Sequence, residues 1–319
     1  MYGEIMAILT GISFALSFVL ARKIENEATP IFQNAIRSIV GFLTFLIICV
    51  SFGVFFEIFS LSIILILILV ISISFTVILG DTAYLQSQKI LGPAKALAIT
   101  TTTPFFTILF AFFFLKRSIS IQMIFSGILI GIGVIIITRG ERNNFNNKTP
   151  YSFQSQMSNN HKDLNKTSLP RTLKGTLLAL ITAISWAIGI ALTDYSINQV
   201  DHILNLGVLS TMIAMMIRFL FASVLLSIIA AIEGTRTPIP KNRNTWIILL
   251  ISAILSYSIG SIFFGEGVHI AGATFMSLIS TAMPLFTIPF SYIINKEKIS
   301  IKGFSGVIIT LLGVLLLFI

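Results

Sequence analysis

Long apolar segments alternate with short polar loops along almost the whole chain. Largely unbroken apolar runs such as Leu61–Ile73 differ from the alternating segments of about ten residues that build transmembrane barrels, so helices are favoured. A helix needs about 20 apolar residues to cross a bilayer. Ten segments approach or reach that length, at residues 3–21, 31–52, 60–80, 93–115, 120–138, 175–194, 203–232, 246–264, 272–294 and 301–319. The pattern predicts an all-α polytopic membrane protein with ten transmembrane helices.

One long polar stretch, residues 139–173, interrupts the series of apolar segments. It is rich in Asn, Ser and Thr, contains Pro150 and Pro170, and lacks apolar periodicity. Such a composition cannot bury enough apolar surface to fold alone. We therefore expect a first five-helix domain over residues 1–138, a polar basic linker over 139–173 and a second five-helix domain over 174–319.

The two halves of the chain repeat one another. Thr101–Phe110 recurs as Thr281–Phe290, with a Thr, a Pro, a Phe-Thr-Ile triplet and a Phe at matching positions. The distance along the sequence between Arg37 and its counterpart Arg218 is nearly equal to that between Thr101 and Thr281. Residues of the first helix recur at a slightly smaller distance along the sequence. Each unit has five spans, an odd number, so the second copy enters the membrane in the opposite orientation. Inverted repeats are typical of transporters whose substrate site lies near the membrane midplane between the repeats.

Composition and charge narrow the class of protein further. Hydrophobic residues make up 55% of the chain and charged residues 10%, against about 25% charged in an average soluble domain. Soluble enzymes, coiled coils and disordered proteins are therefore excluded. The net charge of +9 reflects topology rather than nucleic-acid binding, because 17 of the 21 Lys and Arg residues fall in loops on the side of the linker. The positive-inside rule then predicts a cytoplasmic linker and external termini.

Two five-helix units, each with a small-residue first helix, an Arg early in the second helix and a Pro in the fourth, resemble the EamA-type transporters of the drug/metabolite transporter superfamily. The resemblance covers nearly the whole chain apart from the linker. The junction Asn295-Lys296-Glu297 is similar to the Leu-Gly-Glu-like junction of the family, whereas Arg117 in the first copy stands where an acidic residue is usual. The resemblance implies a secondary carrier of small metabolites, often an exporter of amino acids or related solutes, with cytoplasmic termini.

Ionisable side chains inside the predicted spans are candidates for the substrate pathway, because charge is costly in a bilayer. Arg37 lies about six residues into its helix, shallow enough for its side chain to reach the headgroups, and Arg218 lies deeper. Inverted repeats place these two arginines toward opposite faces. Asp81 and Glu266 are predicted to close the third and eighth spans, either as solvated helix ends or as cavity residues. Glu266 and His269, one turn apart if the helix continues, are the candidates for proton coupling.

Hydroxyl, proline and aromatic residues complete the candidate pathway. A proline frees a backbone carbonyl that nearby hydroxyls can bind, and aromatic rings with a polar group suit a binding cavity. Helix packing is the alternative role for these residues. The set is Tyr84, Thr101, Thr103, Pro104, Trp186, Tyr257, Thr281 and Pro284.

Together these observations predict a secondary transporter of small metabolites, a permease or exporter in the plasma membrane that works by alternating access. Its expected partners are a small-molecule substrate and the bilayer, and monomer and homodimer both remain open. We expect no catalytic residue, cofactor or metal, since the three His residues are scattered, the chain has one Cys and no phosphate-binding Gly-x-x-x-x-Gly-Lys loop occurs. The alternatives are a flippase for lipids or lipid-linked sugars and a membrane-embedded enzyme, although intramembrane protease motifs are missing.

Overall fold

A computed structural model of the protein describes most of the two predicted domains. The described residues are 2–91, 96, 99–100, 102–115, 120–146, 171–234, 239–281 and 283–295, with seven further residues between 305 and 316. Residues 147–170 of the predicted linker and most of the tenth predicted span lie outside this set. Within it, every regular element is helical, which confirms an all-α membrane protein.

The first half contains helices α1 to α6, and a π-helical segment, π1, separates α3 from α4. A short 3-10 turn, Phe55–Ser60, precedes α3. The bounds are α1 Tyr2–Lys23, α2 Pro30–Ser51, α3 Ile63–Ile73, π1 Ser74–Asp81, α4 Thr82–Leu91, α5 Thr103–Leu115 and α6 Ile121–Asn146. Helix α2 begins sharply because the Thr29 hydroxyl accepts a hydrogen bond from the Phe32 N–H (3.2 Å) and Pro30 occupies the first turn.

Over its described residues the second half follows much the same order, and its first two helices are longer than those of the first half. Its bounds are α7 Arg171–Leu204, α8 Val208–Gly234, α9 Arg243–Ala253, π2 Ile254–Gly260, α10 Ser261–Thr281 and α11 Pro284–Asn295. The second π-helical segment, π2, is displaced from π1 by the same offset that relates Thr101 to Thr281 in the sequence repeat. Single π-helical turns in long helices are frequent at functional sites.

Six described helices are long and apolar enough to cross a membrane. They are Tyr2–Lys23, Pro30–Ser51, Ile63–Leu91, Leu173–Leu204, Val208–Glu233 and Arg243–Ile279. These correspond to predicted spans one, two, three, six, seven and eight. In the remaining predicted spans the structure describes shorter apolar helices, such as Leu285–Ile294.

Several predicted helix ends are wrong. The third span was expected to end at residue 80 but continues to Leu91, and residues 265–271, expected as a loop, are helical. Asp81 and Glu266 therefore lie inside continuous helices and do not close the third and eighth spans. The helix passes through its polar residues because they face protein rather than lipid: Ser87 is fully buried and Gln88 nearly so.

The first helix of each half packs mainly against the other half. Helix α1 contacts α9, π2, α10 and α11, and helix α7 contacts α3, π1, α4 and α5. Helices α2 and α8 pack together, with the rings of Phe45 and Phe219 stacked at 5.7 Å. Residues from both halves therefore surround the interior of the molecule, where the candidate site lies.

Candidate substrate cavity

A cavity with about 880 Å³ of empty space, including space open to solvent, lies among the helices of both halves. Ligand pockets typically have largely apolar walls and a few polar groups that orient the ligand. The apolar lining residues are Phe14, Phe18, Ile73, Val77, Trp186, Ile190, Met215, Phe219, Phe264 and Met283. The polar and charged lining residues are Arg37, Thr76, Asp81, Thr100, Thr103, Arg218, Tyr257 and Ser261.

Asp81, the last residue of π1, accepts hydrogen bonds from two aromatic side chains of the second half. The Trp186 indole N–H donates to Oδ1 at 2.8 Å, and the Tyr257 hydroxyl donates to Oδ2 at 2.5 Å. Gly80 leaves room for this arrangement, because a Cβ atom at Gly80 would clash with the Trp186 ring. The carboxyl group thus joins π1 to α7 and π2 at the cavity wall.

Arg37 is fully buried in a polar cluster. Its Nε donates to the Ser256 hydroxyl (3.1 Å), one terminal nitrogen donates to Asn34 Oδ1 (3.0 Å), and the other donates to the Ser17 hydroxyl (3.2 Å). The side chain does not reach toward the headgroups, so that interpretation of its shallow position is wrong. The partners of Arg37 lie on α1, α2 and π2, so the cluster joins the two halves.

Tyr257 connects Arg37 to Asp81. The Arg37 guanidinium lies 4.4 Å from the centre of the Tyr257 ring, and the ring of Phe18 approaches the same guanidinium at 5.5 Å. Such stacking stabilises a buried cation. Since the Tyr257 hydroxyl donates to Asp81, one tyrosine contacts both charged groups of this side of the cavity.

Arg218 is nearly as buried as Arg37 but has fewer partners. One terminal nitrogen donates to the Thr76 hydroxyl (3.1 Å) and the other to the Met215 sulfur (3.2 Å). Its Nε finds no acceptor among the described residues. The two arginines, expected toward opposite faces of the membrane, line one and the same cavity.

The other predicted site residues line the cavity, lie buried outside its wall, or fall outside the described residues. Thr103 lines the cavity. Tyr84 is buried but does not line the cavity, and its ring packs on those of Phe18 (4.8 Å) and Trp186 (5.5 Å). Pro104 is buried near the start of α5. Thr101 lies outside the described residues. Thr281 ends α10 and Pro284 begins α11, and their side chains lie outside the described part of the structure.

Glu266 and His269 are not among the residues that line the cavity. They lie one turn apart on the part of α10 that precedes Gly272, as the proton-coupling hypothesis requires. Glu266 is buried, whereas the His269 side chain is 21% exposed and its Nε2 lies 3.5 Å from an Asp201 carboxyl oxygen. Among the described residues, His269 therefore contacts Asp201 on α7 rather than Glu266 on its own helix.

Sequence reasoning missed most of the apolar wall and several polar partners. The missed residues with clear contacts include Phe14, Ser17, Asn34, Thr76, Met215, Phe219, Ser256 and Ser261. A usable signal existed in the sequence repeat, because the offset that relates Thr101 to Thr281 also relates Thr76 to Ser256 and Asp81 to Ser261. Within the described residues, no group of three or more His, Cys, Asp and Glu side chains is suited to hold a metal ion.

Comparison with known proteins assigns the chain to a protein family. The model of the EamA-like transporter family matches residues 1–139 and 173–319. The chain belongs to the EamA-like transporter family. An uncharacterized transporter of Methanothermobacter thermautotrophicus (strain Delta H) is 37% identical over 71 residues, which cover 22% of this chain and 21% of that protein. The match thus spans about a fifth of the length of this curated relative.

A solved structure has the same fold as this family member. It is titled only "Crystal structure of protein", superposes with a TM-score of 0.70, and covers 99% of this chain and 95% of its own, at 13% sequence identity. At that identity the likeness concerns the fold alone. Family membership and the apolar helices together make the chain a multi-pass membrane protein.

Proposed function

We propose that this protein is a secondary transporter that carries small metabolites, such as amino acids or related solutes, across the plasma membrane. The observation that carries the proposal is the cavity that residues of both halves of the chain line together. A binding site between two repeats is the expected arrangement of a carrier. The family membership of the chain supports the same activity.

We further propose ten membrane helices in two inverted repeats, over residues 1–138 and 174–319, joined by the linker 139–173. The cavity wall supports this arrangement, because six pairs of its lining residues are related by the repeat offsets. The pairs are Phe14 and Trp186, Phe18 and Ile190, Arg37 and Arg218, Val77 and Tyr257, Asp81 and Ser261, and Thr103 and Met283. Equivalent positions of the two repeats thus face the same space.

Alternating access would proceed by rocking of one repeat against the other. The contacts that join the halves at the cavity include hydrogen bonds, among them Trp186 to Asp81, Arg37 to Ser256 and Arg218 to Thr76. Each such bond contributes about 0.5–1.5 kcal/mol net, or about 1.5–3 kcal/mol where one partner is charged. A substrate that replaces some of these contacts can therefore shift the balance between conformations.

Reconstitution of the purified chain into liposomes tests the proposal. Efflux of a panel of amino acids and small metabolites is measured with and without a pH gradient, and we expect saturable, protein-dependent flux of at least one solute. Trp186→Phe removes the N–H that binds Asp81 and should lower this flux several-fold. The matched control is Trp246→Phe, because Trp246 donates to the Pro240 carbonyl outside the cavity wall.

If no solute crosses the liposome membrane but labelled lipid moves between the leaflets only when the protein is present, the protein is a flippase and does not transport metabolites. The apolar wall of the cavity is the feature that favours this second candidate, because it suits an amphipathic cargo.

Proton coupling is a separate part of the proposal and is tested by Glu266→Gln. Glu266 is buried, and one of its carboxyl oxygens has no hydrogen-bond partner among the described residues. If this group carries the proton, the variant transports without dependence on the pH gradient. The control is Glu57→Gln, which changes an exposed glutamate. Flux that keeps its pH dependence in Glu266→Gln would remove Glu266 from the mechanism.

A further inference from the structure

Arg218 is a buried cation at the cavity wall that the protein leaves incompletely bound. The side chain is 2% exposed, and a guanidinium has five N–H donors. It uses one on the Thr76 hydroxyl and one on the Met215 sulfur, which is a weak acceptor. Its Nε has no acceptor, and no carboxyl oxygen lies within 4.0 Å of it, among the residues that the structure describes.

The equivalent arginine of the first repeat shows what a complete set of partners looks like. Arg37 and Arg218 each donate to the residue three positions earlier and to a hydroxyl on the π-helical segment of the opposite half. The two arginines thus occupy matching frameworks. The remaining partners of Arg37 do not recur around Arg218.

Four differences between the repeats explain why Arg218 is less completely bound than Arg37. The residues that contact or face Arg37 are Asn34, Ser17, Tyr257 and Asp81, and the positions equivalent to them in the opposite repeat are Met215, Gly189, Val77 and Ser261. The amide oxygen, the hydroxyl, the aromatic face and the carboxyl are all lost. A larger residue at Gly189 would not restore a partner, because its Cβ would collide with Thr76.

This difference has an energetic consequence. A guanidinium stays protonated in proteins, and a buried charge is strongly unfavourable unless a partner compensates it. Around Arg37 the protein supplies that compensation itself. Arg218 lines the cavity, so an anionic group arriving with a ligand would supply the missing compensation there. Carboxylates fit a guanidinium especially well, through two parallel hydrogen bonds.

We propose that Arg218 binds the carboxylate of the transported substrate, and that the substrate is a small organic monoanion with an apolar body. This proposal rests on the proposed transport function and names its substrate class. A single charge is favoured because the cavity offers one incompletely bound cation among its described lining residues and already contains the carboxyl group of Asp81. The apolar body follows from the apolar side chains that make up ten of the 18 lining residues, eight of them phenylalanine, isoleucine or methionine.

Binding to the purified full-length chain in detergent, measured by calorimetric titration, tests the proposal independently of transport. The probes are two pairs of equal shape, 3-phenylpropionate with 3-phenylpropanamide and hexanoate with hexanamide. We expect at least one carboxylate to bind about tenfold or more tighter than its amide, which corresponds to about 1.4 kcal/mol. If neither carboxylate binds tighter than its amide, the proposal is overturned.

Two variants assign the preference to Arg218. Arg218→Gln should bring the carboxylate down to the affinity of the amide, while the control Arg243→Gln, at an exposed position outside the cavity, should change neither. Ser261→Asp keeps Arg218 and places a carboxyl at the position equivalent to Asp81, so it should also abolish the preference. The second variant decides the matter if the first does not fold. A carboxylate preference that survives in either folded variant would overturn the proposal.

The two proposals fail in different ways. Carboxylate binding that depends on Arg218, without flux in liposomes, leaves this site standing and refutes transport. Flux that is equal for acids and amides, and equal in Arg218→Gln, leaves transport standing and refutes this site.

Discussion

At the scale of single residues, the cavity depends on one tyrosine that serves two charged groups. The Tyr257 ring lies against the Arg37 guanidinium and its hydroxyl donates to Asp81. The Asn34 side-chain oxygen lies 3.4 Å from the same hydroxyl and accepts a hydrogen bond from Arg37. Both contacts therefore depend on the position of π2, in which the tyrosine lies.

Tyr257→Phe separates the two functions of this side chain. The ring remains over Arg37, but Asp81 loses the hydrogen bond to its Oδ2 atom. Hydrogen bonds to charged groups contribute about 1.5–3 kcal/mol, and we expect a loss of stability of that size in detergent, measured by chemical unfolding. The matched control is Tyr195→Phe, since Tyr195 is 42% exposed; its change should stay within about 0.5 kcal/mol. Equal effects of the two variants would contradict the importance of the Tyr257 hydroxyl.

The sequence predicted the charged and polar part of the site far better than its apolar part. Arg37, Asp81 and Arg218 can be identified because ionisable residues are rare within apolar segments and costly in a bilayer. Phe14 could not be identified in this way. The chain has 28 phenylalanines, and a phenylalanine facing the cavity, the lipid or a neighbouring helix looks the same in a sequence of this composition.

At the scale of helices, α10 contains a sharp break. Gly272 adopts φ +81° and ψ 166°, a conformation open essentially to glycine alone. The backbone N–H of Ala273, the next residue, donates to the Asp194 carboxyl on α7 at 3.1 Å. A buried carboxyl thus binds the backbone where the helix restarts, so the break is held by contact with the other helix as well as by the glycine.

Gly272→Ala tests this break. A Cβ at this φ and ψ costs about 1–3 kcal/mol, so we expect a lower midpoint of thermal unfolding in detergent. Gly131→Ala is the control, because Gly131 lies within α6 and a Cβ there meets no atom within 4 Å. Alanine should leave the midpoint unchanged or raise it, by about 0.5–1 kcal/mol in stability. A drop for Gly131→Ala as large as that for Gly272→Ala would show that the strained backbone is not the cause.

The errors in helix length have a common physical reason. A charged residue was taken to end a span, as it does where a helix faces lipid or reaches water. Asp81 and Glu266 instead point into protein, where tertiary contacts compensate their polarity. Hydropathy along a single chain does not distinguish these environments, so the sequence predicts the third and eighth spans too short.

At the scale of the whole molecule, the first helix of each half packs against the other half. The charges of the loops determine the orientation of the molecule in the membrane. Seventeen Lys and Arg residues lie on the linker side of the predicted topology, against Lys116 and Arg117 on the other. Positive loops remain in the cytoplasm. We therefore predict a cytoplasmic linker and external termini, although the family resemblance implies cytoplasmic termini.

Cysteine labelling in intact cells decides between the two orientations. The chain has a single cysteine, Cys49, which is fully buried, so Cys49→Ala gives a background without thiols. In that background, Ser158→Cys places a thiol in the linker and Ser118→Cys places one in the loop on the opposite side. We expect a membrane-impermeant maleimide to modify the thiol at position 118 in intact cells and that at position 158 only after permeabilisation. The reverse labelling pattern would show that the loop containing Lys116 and Arg117 faces the cytoplasm. The protein would then have the cytoplasmic termini that the family resemblance implies, and the charge balance of the loops would not determine its orientation.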